Sequence, residues 1–189
     1  MPIKTLPLLT LLFFASELGL AIVKRSRTTK GATRVDRGSG PLLWVVISSA
    51  IIAATAVAEY APGRFTFSPA WTRGIALALL VGGLAFRWWA VITLGKFFTV
   101  DVATHADHKL VDTGPFRFVR HPSYTGLLLA FLGVGVSFGS WVSVLVLMVP
   151  IVASLAYRMR VEEAAMRQAL GASYDAYCAR TKRLIPGVV

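Results

Sequence analysis

Five long apolar runs, separated by short polar connections, leave this chain few folds to choose from. They fall at about residues 5–23, 41–59, 72–94, 122–138 and 141–158. Each is close to the ~20 residues that cross a hydrocarbon layer as a helix, the fourth being the shortest. The runs are continuously apolar rather than alternating, which argues against strands. Hydrophobic residues make up 56% of the chain and charged residues only 15%, too few polar groups to clothe a soluble domain. The expected fold is therefore an all-α polytopic membrane protein of about five transmembrane helices. A short turn at Gly139 and Ser140 joins the last two runs into a helical hairpin.

The basic residues fix an expected orientation. Lys24, Arg25, Arg27, Lys30, Arg34 and Arg37 follow the first run, and Lys96, Lys109, Arg117 and Arg120 follow the third. Arg158, Arg160, Arg167, Arg180, Lys182 and Arg183 follow the fifth, whereas the opposite side carries Lys4, Arg64 and Arg73. Positive charge collects on cytoplasmic loops, so the N-terminus is expected outside and the C-terminus in the cytoplasm. The net charge of +11 is thus a matter of membrane topology and not a sign of nucleic-acid binding. The first run has its positive charge after it, the reverse of a cleaved signal, and reads as a retained span. Cys178 is the single cysteine, so neither an intrachain disulfide nor a CxxC site arises. The tail from about Arg158 to Arg180 favours a helix continuing from the fifth span, with Gly171 ending or interrupting it.

Chemistry-bearing residues gather at 105–124, HADHKLVDTGPFRFVRHPSY, a segment punctuated by Gly114, Pro115 and Pro122. Irregular backbone beside a membrane is tolerated where it lines a protein cavity, which favours a pocket; a solvated loop with Pro122 opening a helix is the simpler alternative. Arg158 and Glu162, four apart, share one helix face. They suit either a solvated ion pair or a pair of opposite charges gripping a zwitterionic ligand and an anionic substrate, while Glu163 and Arg160 lie on other faces. His105, His108 and His121 lack acidic or thiolate ligands at metal-binding spacing, so no metal is expected. Arg87, followed by Trp88 and Trp89, suits a snorkelling interfacial residue or a substrate-facing one. Glu17 lies within the first run, where an acid is a functional candidate, neutral or paired between helices. Gly82, Gly83, Gly126, Gly133 and Gly135 suit close helix contacts. No Walker loop or strand-borne GxGxxG is present.

The stretch HKLVDTGPFRFVRHPSYTG, a hydrophobic hairpin, and then RMRVEEAAMRQALGASYDAYCARTKRLIP resembles the isoprenylcysteine carboxyl methyltransferase family, part of a wider group that includes phospholipid methyltransferases. The likeness runs over about residues 95–186, and RHPSY followed by Arg-x-x-x-Glu is its specific part. It implies a single membrane domain over 1–189, with residues 1–60 as accessory spans and 72–189 as the core. Two segments of that core, 95–124 and 158–186, would bind S-adenosylmethionine on the cytoplasmic side. By motif position His108, Lys109, Leu110, Val111, Phe116, His121, Pro122, Ser123, Tyr124 and Glu162 would contact the cofactor. Arg158, and with it Arg87, would face the substrate. Phe116 stands where the family often has tyrosine, which preserves stacking and removes a hydroxyl contact.

Methyl transfer from a sulfonium is an in-line displacement that needs no metal. A carboxylate acceptor is already ionised at neutral pH, so alignment matters more than base catalysis. The resemblance thus implies methylation of a lipophilic carboxylate arriving from the bilayer. The alternatives are methylation of a small thiol or phospholipid amine, and a non-catalytic protein whose basic loops bind anionic lipid. Nothing in the sequence specifies an oligomeric state.

Overall fold

The computed structural model describes residues 6–25, 32–34, 38–60, 62–95, 103–105 and 110–187. Helix α1 spans Leu6–Arg25, α2 Ser39–Ala58, α3 Pro69–Leu94, α4 Pro122–Ser137, α5 Trp141–Leu170 and α6 Ala172–Arg180. Local chemistry sets several boundaries. Ser68 caps α3 by accepting from the Trp71 amide at 3.4 Å, and Pro69 occupies its first turn, where a missing N–H costs nothing. Pro122 opens α4 in the same way. Gly171, at φ 54°, ends α5 in a conformation that side chains resist. The tail therefore does continue from the fifth run, as one 30-residue helix, before breaking into α6.

Helices α2, α3 and α5 are long and apolar enough to cross a membrane. Helix α4, at 16 residues, is shorter. The protein is thus an integral membrane protein. A core drawn from five helices sits at its centre, where Phe13, Ile47, Leu80, Phe131, Leu147, Ile151 and Leu155 are buried together. The Phe13 and Phe131 rings lie 4.5 Å apart. The outward faces carry Leu18, Val45, Ile52, Ile92, Leu145 and Val149, an apolar surface suited to lipid.

The tightest seam joins α3 to α4. A Cβ on Gly83 would stand 2.5 Å from the Ala130 amide nitrogen, and one on Gly126 would stand 2.6 Å from the Arg87 amide nitrogen. Gly133 meets the Ala76 carbonyl in the same manner, at 2.6 Å. These three glycines let backbones touch, as small residues do between membrane helices. Gly82 differs, because a Cβ there meets nothing within 4 Å.

Hydrogen bonds between connections sort the bundle into two ends. At one end β1 (Ala32–Arg34), after α1, pairs antiparallel with β2 (Ala103–His105), after α3. This small ladder lies in polar connections that carry no alternating apolar pattern. The same end holds the bridge between Val119, before α4, and Lys182, after α6. At the other end the α2–α3 connection meets the hairpin turn, with the Phe65 amide donating to the Gly139 carbonyl at 2.9 Å. The two polar segments around α4 and after α5 are therefore neighbours.

Candidate functional site

The first turn of α4 and the last turns of α5 face each other at the ladder end of the bundle. Arg158 and Glu162 lie one turn apart on α5, but they do not pair directly. The Tyr124 hydroxyl stands between them: Arg158 Nε donates to it at 2.9 Å, and it donates to Glu162 Oε2 at 2.8 Å. Arg158 also donates from Nη1 to Ser39 Oγ, 3.2 Å away at the start of α2. Both ends of that bond are buried, Arg158 at 5% exposure and Ser39 at 1%. Glu162 is reachable, with 31% of its side chain exposed, and its two contacts among the described residues fall on Oε2. The second contact is with His121 Nδ1, at 3.7 Å, and the His121 ring stacks on Tyr124 with centroids 5.5 Å apart.

Glu163 is the residue that sequence reasoning missed. It is 1% exposed and gathers three side chains, through four nitrogens, from two segments. Arg183 donates to it from Nε at 3.0 Å and from Nη2 at 2.9 Å, Arg120 from Nε at 3.3 Å, and His121 Nε2 lies 3.3 Å away. Hydrogen bonding to Glu163 raises the Arg183 pKa above its ordinary value. Arg120 reaches on to the carbonyls of Cys178 and Thr181, so the segment before α4 is clasped to the chain after α6. A signal for Glu163 did exist. The buried ridge of α5 runs Leu147, Ile151, Leu155, Met159, and the next step of four is Glu163.

The other expected residues fall into three groups. His121 and Pro122 are buried, and Ser123 and Tyr124 are half-buried, all at the start of α4. Leu110 and Val111 are half-buried beside them in sequence, while Phe116 is buried and its carbonyl accepts from the Tyr177 hydroxyl at 2.7 Å. His108 and Lys109 lie outside the described residues, and so do Lys96 and the stretch 99–102. Arg87 does not snorkel to solvent. It is buried and bidentate with Glu17, Nε to Oε1 at 2.7 Å and Nη2 to Oε2 at 2.8 Å, and its Nη1 donates to Ser123 Oγ at 2.7 Å. Burial makes a lone charge so costly that Glu17 and Arg87 satisfy each other across α1 and α3 instead of reaching water. Among the described residues no cluster of three potential metal ligands occurs.

Two comparisons decide what this arrangement belongs to. The model of the isoprenylcysteine carboxyl methyltransferase family matches residues 76–168. Protein-S-isoprenylcysteine O-methyltransferase A of Arabidopsis thaliana is 30% identical over 188 residues, covering 96% of this chain and 91% of that relative. The chain belongs to the isoprenylcysteine carboxyl methyltransferase family. Protein-S-isoprenylcysteine O-methyltransferase B of the same plant is 31% identical over 120 residues, 62% of this chain and 61% of its own length. The family fold is shared as well. A eukaryotic intramembrane Ras methyltransferase, itself an isoprenylcysteine carboxyl methyltransferase, superposes with a TM-score of 0.58 at 23% identity. That likeness spans 78% of this chain and 53% of the other. The family match covers α4 and nearly all of α5, and thus Tyr124, Arg158, Glu162 and Glu163, but not α2 with Ser39.

Proposed function

We propose that this protein is an integral-membrane, S-adenosylmethionine-dependent methyltransferase that esterifies the carboxylate of a lipophilic, isoprenylcysteine-like acceptor. The observation that carries this reading is the chain Arg158–Tyr124–Glu162 in a member of this family. It sets a buried cation and a reachable anion in one rigid frame. The residues suit the cofactor: among the described residues Glu162 makes its contacts through Oε2, which leaves Oε1 for an ammonium or ribose hydroxyl, and the stacked His121 and Tyr124 rings offer a flat wall beside it. The HKLV segment, residues 108–111, with Phe116 and 121–124, completes the cofactor side. When bound, the cofactor supplies an electrophilic methyl group on a sulfonium.

What this chain contributes is placement. Arg158 aligns the acceptor carboxylate, which needs no base because it is ionised at neutral pH. Tyr124 keeps Arg158 and Glu162 in register, so acceptor and donor are aligned together. Arg87, engaged by Glu17, acts on the site by holding Ser123. In this reading the whole chain works as one unit of five crossings, α4 being the shortest. The ladder end faces the cytoplasm, where the basic connections favour it. The acceptor arrives from the bilayer and the cofactor from water.

A screen with methyl-labelled S-adenosylmethionine tests this. An S-farnesylated N-acetylcysteine should be methylated, and a lipophilic thiol and a phospholipid amine should not. With a carboxylate acceptor the rate should show no acceptor titration above about pH 6, whereas a thiol or amine acceptor would give a rate that climbs as it deprotonates. Glu162→Ala should weaken cofactor binding, and Arg158→Ala should mainly impair turnover or acceptor affinity. Equal loss of cofactor affinity in both variants, or no saturable cofactor binding by the unaltered protein, would overturn the assignment.

A further inference from the structure

The polar contacts of Arg158 reach outside the part of the chain that carries the family motifs. Its Nη1 donates to Ser39 Oγ at 3.2 Å, across the packed α2–α5 interface. Ser39 is the first residue of α2, and Gly38 before it turns the chain at φ 76°. The serine is 1% exposed, so this hydroxyl meets the guanidinium away from bulk solvent, where a hydrogen bond to a charged group is strong. Arg158 is thus gripped on Nε by α4, through Tyr124, and on Nη1 by α2, through Ser39. A guanidinium is planar, and two anchors on different nitrogens fix both its position and the tilt of its plane.

We infer that Ser39 is a positioning residue for Arg158, setting the plane in which the guanidinium meets the acceptor carboxylate. The inference rests on the acceptor role given to Arg158 above. It makes α2 part of the acceptor side of the reaction, although α2 carries none of the recognisable motif. Without the hydroxyl, Arg158 keeps its charge and its Tyr124 anchor but loses the hold that α2 has, through Ser39, on the tilt of its plane. Misalignment of a carboxylate clamp falls on acceptor use and leaves the donor site, built around Glu162, untouched.

The test compares Ser39→Ala, Ser39→Thr and, as a control on the same helix, Ser49→Ala. Ser49 is exposed and, among the described residues, bonds the Val46 carbonyl of its own helix. Methylation of S-farnesylated N-acetylcysteine and calorimetric binding of S-adenosylmethionine are measured on the full chain in lipid nanodiscs. Ser39→Ala should lower kcat/KM for the acceptor about tenfold, the effect of one lost charge-assisted hydrogen bond, with cofactor affinity unchanged. Ser39→Thr, which keeps the hydroxyl, should recover most of that loss, and Ser49→Ala should match the unaltered protein. Unchanged acceptor kinetics in Ser39→Ala would overturn the inference while leaving the methyltransferase reading intact. So would a parallel fall in cofactor affinity and thermal stability that threonine does not rescue, because Ser39 would then be merely structural. If the unaltered protein methylates nothing although it binds the cofactor, the reading of the acceptor fails and takes this inference with it.

Discussion

Adding one methyl group at Gly126 should separate two helices. A Cβ there would stand 2.6 Å from the Arg87 amide nitrogen, 2.6 Å from the Gly83 carbonyl oxygen and 2.9 Å from the Arg87 Cα. All three obstacles are backbone atoms, so no side chain can swing aside. Restoring ordinary contact requires α4 to retreat from α3 by about 1 Å, and a gap of that size forfeits up to about half of each dispersion contact along the seam. Overpacking typically costs about 1–3 kcal/mol, and immovable backbone puts Gly126→Ala at or above the top of that range, near 3 kcal/mol. Gly82→Ala is the matched control: its Cβ meets nothing within 4 Å, and alanine favours a helix over glycine by up to about 1 kcal/mol. Equilibrium unfolding in mixed micelles, followed by circular dichroism, should separate the two variants by about 3–4 kcal/mol. Gly83→Ala combined with Gly126→Ala should cost less than the sum of the singles, because one separation relieves both clashes. If Gly126→Ala and Gly82→Ala agreed within about 1 kcal/mol, the backbone-to-backbone seam would be refuted.

Three further outcomes follow from the charged and buried groups. Glu163→Ala leaves the half-buried Arg120 and half-exposed Arg183 guanidiniums without their carboxylate, and should destabilise the protein by about 3 kcal/mol in thermal unfolding, with Glu163→Gln milder because it still accepts hydrogen bonds. Glu17→Gln and Arg87→Met should each cost about 3–5 kcal/mol, while the double variant should cost distinctly less than their sum, a coupling that a double-mutant cycle in the same unfolding assay reads directly. Burial pushes the Tyr177 hydroxyl pKa up, so the native state holds that proton more tightly than the unfolded chain. Its contribution should be complete below the unfolded value near pH 10 and should fade as pH rises beyond it; alkaline unfolding of Tyr177→Phe should lack that component and start about 1 kcal/mol less stable.

The helices were readable because lipid imposes a simple rule: every backbone group must be satisfied within its own helix, so apolar length reports secondary structure directly. The third run and α3 end at the same residue, Leu94, and the break at Gly171 was visible as a glycine after a strong helix former. Side-chain partnership was less readable, because it depends on which helix faces which. Glu17 and Arg87 are 70 residues apart, and no periodicity in either segment announces their pairing. Spacing did put Arg158 and Glu162 on one face, but it could not reveal the tyrosine hydroxyl between them, which comes from another helix 34 residues away from Arg158. Spacing puts Glu163 on a different face from the Arg158–Glu162 pair, and only the ridge from Leu147 through Met159 leads to it. Ser39 carried no signal, being one of several small polar residues near an apolar run.

The clasp between the start of α4 and the chain beyond α6 sets an order of assembly during synthesis. Arg120 bonds the Thr181 carbonyl, 61 residues downstream. At about 5–20 residues per second, roughly 3–12 s separate the emergence of those two partners. The start of α4 is thus made seconds before the tail that clasps it, and Glu163 is made 20 residues before Arg183. The polar centre can close only once the chain after α6 has been made and folds back on the start of α4.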